Sequence, residues 1–183
     1  MKIKVTPSKV HGNVKIPASK SMAHRALICA SLSDGTSLVS NVTNSKDIEA
    51  TVGCMKALGA IIKQIDETTY EVTGTNLFKQ EGNITCNANE SGSTLRFLIP
   101  LAACTNAKVK FLGQGRLLQR PMDVYANEFK EQNIEFNQSD KEIIVSGNLQ
   151  AKDYVVQGDI SSQFITGFMF VLPLLDQDST LTI

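Results

Sequence analysis

The chain has 183 residues, 18 basic against 18 acidic side chains, 42% hydrophobic residues and a pI near 6.7. This is the make-up of a globular protein with one good core or two small ones. It excludes a long-range field for nucleic acid or an anionic membrane, so any anion binding must be local and built from few residues.

The start MKIKVTPSKV shows neither an apolar leader nor an Arg-rich amphipathic pattern, and no apolar run approaches a membrane span. Cys29, Cys54, Cys86 and Cys104 are widely separated and form no C-x-x-C pair, which reads as buried free thiols in a reducing cytosol.

In chain order, residues 3–5 and 14–16 read as short strands separated by turn residues. A helix follows from Ser19 as N-cap, with Ala23, Ala26, Leu27, Ala30 and Leu32 at helical spacing, and Asp34-Gly35 closes it. A strand over 36–41, a helix from 45 to 58, the helix stop Gly59 and a hairpin over 60–73 complete a first unit. The same order returns after about 70 residues. A strand at 84–87, helix 92–104, strand 108–112, helix 121–132 and hairpin 134–146 form the second unit. Arg96 stands in the place of Arg25, Asp123 in that of Asp47 and Asn133 in that of Gly59. A third copy begins at 154–156, runs through a helix over 162–175 and is cut short in a strand starting at Ser179. The pattern predicts an α/β (α+β) protein of repeated βαβαββ units, helices covering an inner core and sheets facing outward. Its units are about 13–76, 77–150 and an incomplete 151–183, which reads as a piece of a larger protein.

The first helix opens with Lys20, Ser21 and Arg25, although its N-terminus already carries roughly half a positive charge. An anion would resolve that conflict, since Ser21 and Arg25 share one face beside free backbone N–H groups. The plain alternative is a helix start whose cations point into water. Gly92 opens the second unit's helix between Ser91 and Ser93, with Arg96 one turn on, and is small enough for a ligand to touch backbone. Gly113-Gln-Gly-Arg116 and Arg120-Pro121 form a Gly-rich, arginine-bearing loop before a helix, suited to carboxylate or phosphate. Ser161 and Ser162 supply hydroxyls at the third unit's helix start. Asp47, Asp123 and Asp159 look like helix caps. His11 and His24 are the only histidines, and neither completes a Ser-His-Asp arrangement. The Gly-rich loop lacks the G-K-[ST] ending of a P-loop.

With these motifs in order, Pro17-Ala-Ser-Lys-Ser-x-x-x-Arg25-Ala-Leu, Ser91-Gly-Ser-Thr-x-Arg96, Arg120-Pro121 and Gly158-Asp-x-Ser-Ser-Gln-Phe164, the chain resembles the N-terminal part of the 5-enolpyruvylshikimate-3-phosphate synthase family (3-phosphoshikimate 1-carboxyvinyltransferase). The resemblance covers essentially the whole chain, and the family is about twice as long. It implies the enolpyruvyl transferase fold, with residues 1–12 belonging beside an absent second lobe. It implies transfer of the enolpyruvyl group of phosphoenolpyruvate (PEP) to the 5-hydroxyl of shikimate 3-phosphate, with release of phosphate and no metal or organic cofactor. By the same resemblance Lys20 contacts PEP, Ser21 and Arg25 hold shikimate 3-phosphate, and Gly92 and Arg120 bound the PEP site. Ser161 and Ser162 grip the shikimate phosphate, and Gln163 lies between the substrates. Lys20, Arg120 and Gln163 are the residues it implicates in catalysis. Glu90 departs from the Asn many members carry two residues before the glycine. The resemblance further implies a cytoplasmic monomer at full length, with no nucleic-acid or membrane partner. The related transferase acting on UDP-N-acetylglucosamine carries Lys-Asn and a loop cysteine where this chain has Lys20-Ser21 and Leu117-Leu118. A non-catalytic anion- or RNA-binding module of the same units is a rival from another class, against which net neutrality and the lack of basic-aromatic stripes argue.

Overall fold

Ser19 is extended and its hydroxyl accepts the Met22 N–H at 3.3 Å, which starts helix α1 (Lys20–Leu32) where the spacing predicts it. Leu27 and Ile28 are fully buried along its inner face, each worth roughly 2 kcal/mol of transfer free energy. The computed structural model describes residues 2–183, and the remaining elements follow in the expected order. They are strand β1 (Thr36–Val39), helix α2 (Lys46–Ala57), and strands β2 (Ile61–Gln64), β3 (Tyr70–Thr73) and β4 (Glu81–Asn87). Helix α3 (Gly92–Ala102), β5 (Asn106–Leu112), helix α4 (Asp123–Glu131), β6 (Glu135–Gln138) and β7 (Ile143–Ser146) come next. Strand β8 (Asp153–Val155), helix α5 (Ser162–Val171) and β9 (Thr180–Thr182) close the chain.

The sheets show the repeat directly. One is ordered β1-β3-β2, the second β4-β5-β7-β6, and the third pairs β8 with β9. β4 runs parallel to β5 and β8 parallel to β9, while β5 and β1 each take the last strand of a hairpin, β7 and β3, antiparallel. Gly59 (φ 101°) and Asn133 (φ 56°) both adopt the left-handed conformation that ends the second helix of their unit. The strands expose one face, as in the alternation along β1 and β7, while α3 from Leu95 to Ala102 is buried except at Arg96.

Several expectations are corrected. Residues 3–5 and 14–16 are not strands: Ile3, Val5, Val14 and Ile16 are 74–85% exposed and pair with nothing among the described residues. A short strand without a neighbour has no hydrogen-bond ladder to hold it. Met1 lies outside the described residues. The strand expected over 36–41 stops at Val39, because Asn41 turns to positive φ (59°). The helix expected to reach 175 ends at Val171 and tightens into a 3₁₀ turn around Pro173. Asp47, Asp123 and Asp159 are not caps, since the hydroxyls of Ser45, Ser91 and Ser161 cap α2, α3 and α5 and α4 has no side-chain cap. Of the four cysteines, Cys29 is exposed and the other three are buried.

Helix α3 carries Pro100 in its interior, which deprives the Arg96 carbonyl of its usual i+4 donor. The Tyr125 hydroxyl on α4 takes that place, donating to Arg96 O at 2.7 Å. Tyr125 reaches it past Gly167 of α5, where a Cβ would strike the Tyr125 oxygen and lie 2.8 Å from the same carbonyl. Proline, tyrosine and glycine on three helices thus hold the turn that carries Arg96.

Candidate functional site

The starts of α1, α3 and α5 meet through their side chains. On α1, Arg25 donates to the Ser21 hydroxyl at 2.5 Å and carbonyl at 3.0 Å, as the four-residue spacing requires. Its second nitrogen donates to Thr166 Oγ1 of α5 at 3.2 Å, and the guanidinium sits 5.1 Å over the Phe97 ring of α3. Arg25 therefore touches all three helices. Lys20, one position past the cap, donates to Asp47 Oδ2 of α2 at 2.5 Å, with 56% of its side chain still exposed.

Gln163 bridges α5 to α3. It accepts from Arg96 Nη1 at 2.8 Å and donates through Nε2 to Ser93 Oγ at 2.8 Å. Burial, and then the neighbouring charge of Arg120, pull the Arg96 guanidinium below its ordinary pKa. Arg120 lies directly against Gly92, where any Cβ would collide with Nη1. Only glycine lets that guanidinium rest on the helix start. Ser161 caps α5 by accepting the Gln163 N–H at 3.3 Å, and Ser162 beside it is exposed.

Beside this cluster an open cleft of about 480 Å³ is lined by Lys46, Asp47, Glu49, Asn89, Glu90 and Gln114. The Glu90 carboxylate turns to the Gly-rich loop, 3.1 Å from where a Cβ on Gly115 would lie. Three carboxylates make that cleft hostile to anions, and one of them, Asp47, is the partner of Lys20. Among the described residues no group of three or more His, Cys, Asp or Glu side chains is placed to hold a metal ion. No helix described is long and apolar enough to cross a membrane.

The structure brings the sequence-predicted residues into separate contacts, Ser21 with Arg25, Gly92 with Arg120, and Gln163 with Arg96 and Ser93, while Lys20 pairs with Asp47 and with none of them. Sequence reasoning missed Asp47 as the partner of Lys20, Thr166 as a partner of Arg25, and the rings of Phe97 and Phe164 under Arg25 and Arg96. One signal was present, because Arg25 and Arg96 are equivalent in the repeat and each stacks on a ring of the next unit's helix.

The class this architecture defines is an α/β protein of repeated βαβαββ units. An EPSP synthase from Acinetobacter baumannii shares the fold with a TM-score of 0.78 at 18% identity, over 93% of this chain and 40% of that one. The family description for EPSP synthase (3-phosphoshikimate 1-carboxyvinyltransferase) matches residues 5–183, and the chain belongs to that family. It is 47% identical over its whole length to a 3-phosphoshikimate 1-carboxyvinyltransferase of Clostridium perfringens (strain SM101 / Type A), covering 43% of that protein. It is 45% identical to the protein of the same name from Clostridioides difficile (strain 630), covering 99% of this chain and 44% of the relative. The chain therefore spans less than half the length of these curated relatives.

Proposed function

We propose that this chain forms one wall of a site that transfers the enolpyruvyl group of PEP to the 5-hydroxyl of shikimate 3-phosphate, releasing phosphate. The observation that carries the reading is the set of side-chain bonds that tie α1 to α5 through Arg25 and α5 to α3 through Gln163, with Arg120 resting on Gly92 at the start of α3. Two polyanions repel, and fixed cations at helix N-termini offset that repulsion while holding the reacting atoms in register. In this reading Ser21, Arg25, Ser161 and Ser162 hold shikimate 3-phosphate, while Lys20, Gly92 and Arg120 take PEP. Gln163, clamped between Arg96 and Ser93, stands between the two substrates. The family membership supports the same substrates.

The acid and base for PEP protonation and hydroxyl deprotonation are assigned to a second lobe, against which residues 2–12 pack. Residues 13–183 form the first lobe, with its three units bounded as in the sequence analysis. The complete protein is a cytoplasmic monomer that requires no metal or organic cofactor. The test is calorimetry of the 183-residue chain with shikimate 3-phosphate, alongside a phosphate-release assay with both substrates. Binding in roughly the millimolar range, about −4 kcal/mol, without turnover is expected. Retention of RNA on filters at physiological salt with no response to shikimate 3-phosphate would favour the binding-module reading instead.

A further inference from the structure

Behind the cationic cluster, four side chains from three helices form a single buried hydrogen-bonded chain. His24 Nδ1 of α1 lies 2.7 Å from Thr51 Oγ1 of α2, which lies 2.7 Å from Thr94 Oγ1 of α3. Thr94 Oγ1 lies 2.7 Å from Ser91 Oγ, the cap of α3, and 3.3 Å from the Asp47 carbonyl of α2. His24, Thr51, Thr94 and Ser91 are all 2% exposed or less. The far end sets the direction of donation. A carbonyl oxygen only accepts, so the Thr94 hydroxyl donates, shared between Asp47 O and Ser91 Oγ. Thr51 must then donate to Thr94, and the His24 Nδ1–H to Thr51. His24 is thereby the Nδ1–H tautomer, and its Nε2 is a lone pair, buried and without a partner.

The chain has a counterpart at the surface. Lys20 and His24 are one turn apart on α1, Asp47 and Thr51 one turn apart on α2, and the Lys20–Asp47 ion pair lies one turn above the His24–Thr51 bond. Both links span the same 27 residues of sequence. The charged groups bearing on His24 are Lys20 and Arg25 of its own helix and Asp47 of α2; burial, aided by the two cations, outweighs Asp47 and keeps the ring neutral. A neutral, one-directional chain has one satisfactory geometry, unlike a stripe of apolar contacts that can slide. One end lies next to Arg25 in the sequence, and the other caps the helix that begins with Gly92 against Arg120.

We infer that His24, Thr51, Thr94 and Ser91 are positioning residues that fix the spacing between the starts of α1 and α3. They thereby set the distance from the anion seat at Ser21 and Arg25 to the one at Gly92 and Arg120. The inference rests on the proposed function, and its test separates the two. Shikimate 3-phosphate is titrated into the chain and its Thr51→Val, Thr94→Val and Thr94→Ser variants, well below each melting temperature, and the His24 ring nitrogens are followed by ¹⁵N NMR. Expected are the Nδ1–H tautomer in the wild-type chain and its loss in Thr51→Val. Both valine variants are expected to bind roughly five- to tenfold more weakly, with recovery in Thr94→Ser. A merely structural role would lower melting temperatures and leave affinity unmoved. An Nε2–H tautomer, read on the wild-type chain and so independent of how any variant folds, overturns the inference. Wild-type binding with unmoved valine variants overturns it alone, whereas a wild-type chain indifferent to shikimate 3-phosphate sinks the proposed function with it.

Discussion

Arg25 and Arg96 occupy equivalent turns of α1 and α3, and each lies 5.1 Å over an aromatic ring of the next unit's helix, Phe97 and Phe164 respectively. Their remaining bonds differ. Arg25 is held by the hydroxyls of Ser21 and Thr166 and by the Ser21 carbonyl. Arg96 is held by the Gln163 amide, itself pinned to Ser93, and its Nε is buried with no partner. The repeat has copied the position of the arginine but not its partners. On the proposed function Arg25 is a binding group and Arg96 a strut.

The largest way to break this comparison is through the strut's foundation. Gly167→Ala would drive a Cβ into the Tyr125 hydroxyl and to 3.1 Å from Pro100, displacing the donor that satisfies the Arg96 carbonyl. Overpacking together with a lost buried hydrogen bond is expected to cost about 3 kcal/mol or more, read by chemical denaturation. A loss below about 1 kcal/mol would mean that α3 and α5 are less tightly engaged than the contacts require.

Next in size is the contrast itself. Arg25→Ala is expected to weaken shikimate 3-phosphate binding by about 2 kcal/mol, roughly 30-fold, with stability changed by less than about 1 kcal/mol. Arg96→Ala is expected to show the reverse balance, with stability suffering more than affinity. Equal losses of affinity in both variants would show that the second arginine also meets the ligand.

How far the sequence foretold this follows from the range of each interaction. The start of α1, the left-handed residues at Gly59 and Asn133, and the unit order are local or periodic signals, legible from spacing alone. The strands expected at 3–5 and 14–16 failed because a strand is defined by its neighbour, and β propensity says nothing of whether one is present. The Tyr125–Pro100–Gly167 arrangement joins residues 25 to 67 positions apart, and no short motif encodes it. Asp47 looked like a cap because Asp suits helix starts, yet Ser45 supplies the cap and frees Asp47 to face Lys20. Candidate site residues were easy to nominate because they fall at helix starts, where sequence signals are strongest.

A smaller effect distinguishes the two units through pH. Burial pulls the His24 pKa from its ordinary 6.5 down to about 4, with Asp47 opposing and Lys20 and Arg25 adding to the shift. Between those values the unfolded chain binds the proton that the folded chain refuses, so stability is complete above about 6.5 and is lost as pH falls toward 4. Wild type should lose on the order of 2 kcal/mol across that window, and His24→Gln should flatten the slope. The equivalent turn of α3 has Leu95 in place of a histidine, so its packing should contribute nothing to the slope. Parallel slopes for wild type and variant would place the titrating group elsewhere.

The smallest effect on stability concerns Lys20 and Asp47, whose side chains are 56% and 31% exposed. Solvent screens such a pair, and Asp47→Asn should change stability by less than about 0.5 kcal/mol. Its effect on binding decides what the aspartate does. If Asp47 only neutralises Lys20, the asparagine variant frees the ammonium and removes a negative charge beside the anion, so shikimate 3-phosphate should bind about threefold more tightly at low salt, a gain that shrinks as ionic strength rises. If Asp47 aims Lys20, affinity should instead fall, because a flexible four-carbon side chain then loses entropy on meeting the ligand. The 2.5 Å contact and the rigid first turn of α2 behind it favour the first outcome for the free chain, since an anion must compete with a carboxylate already in place.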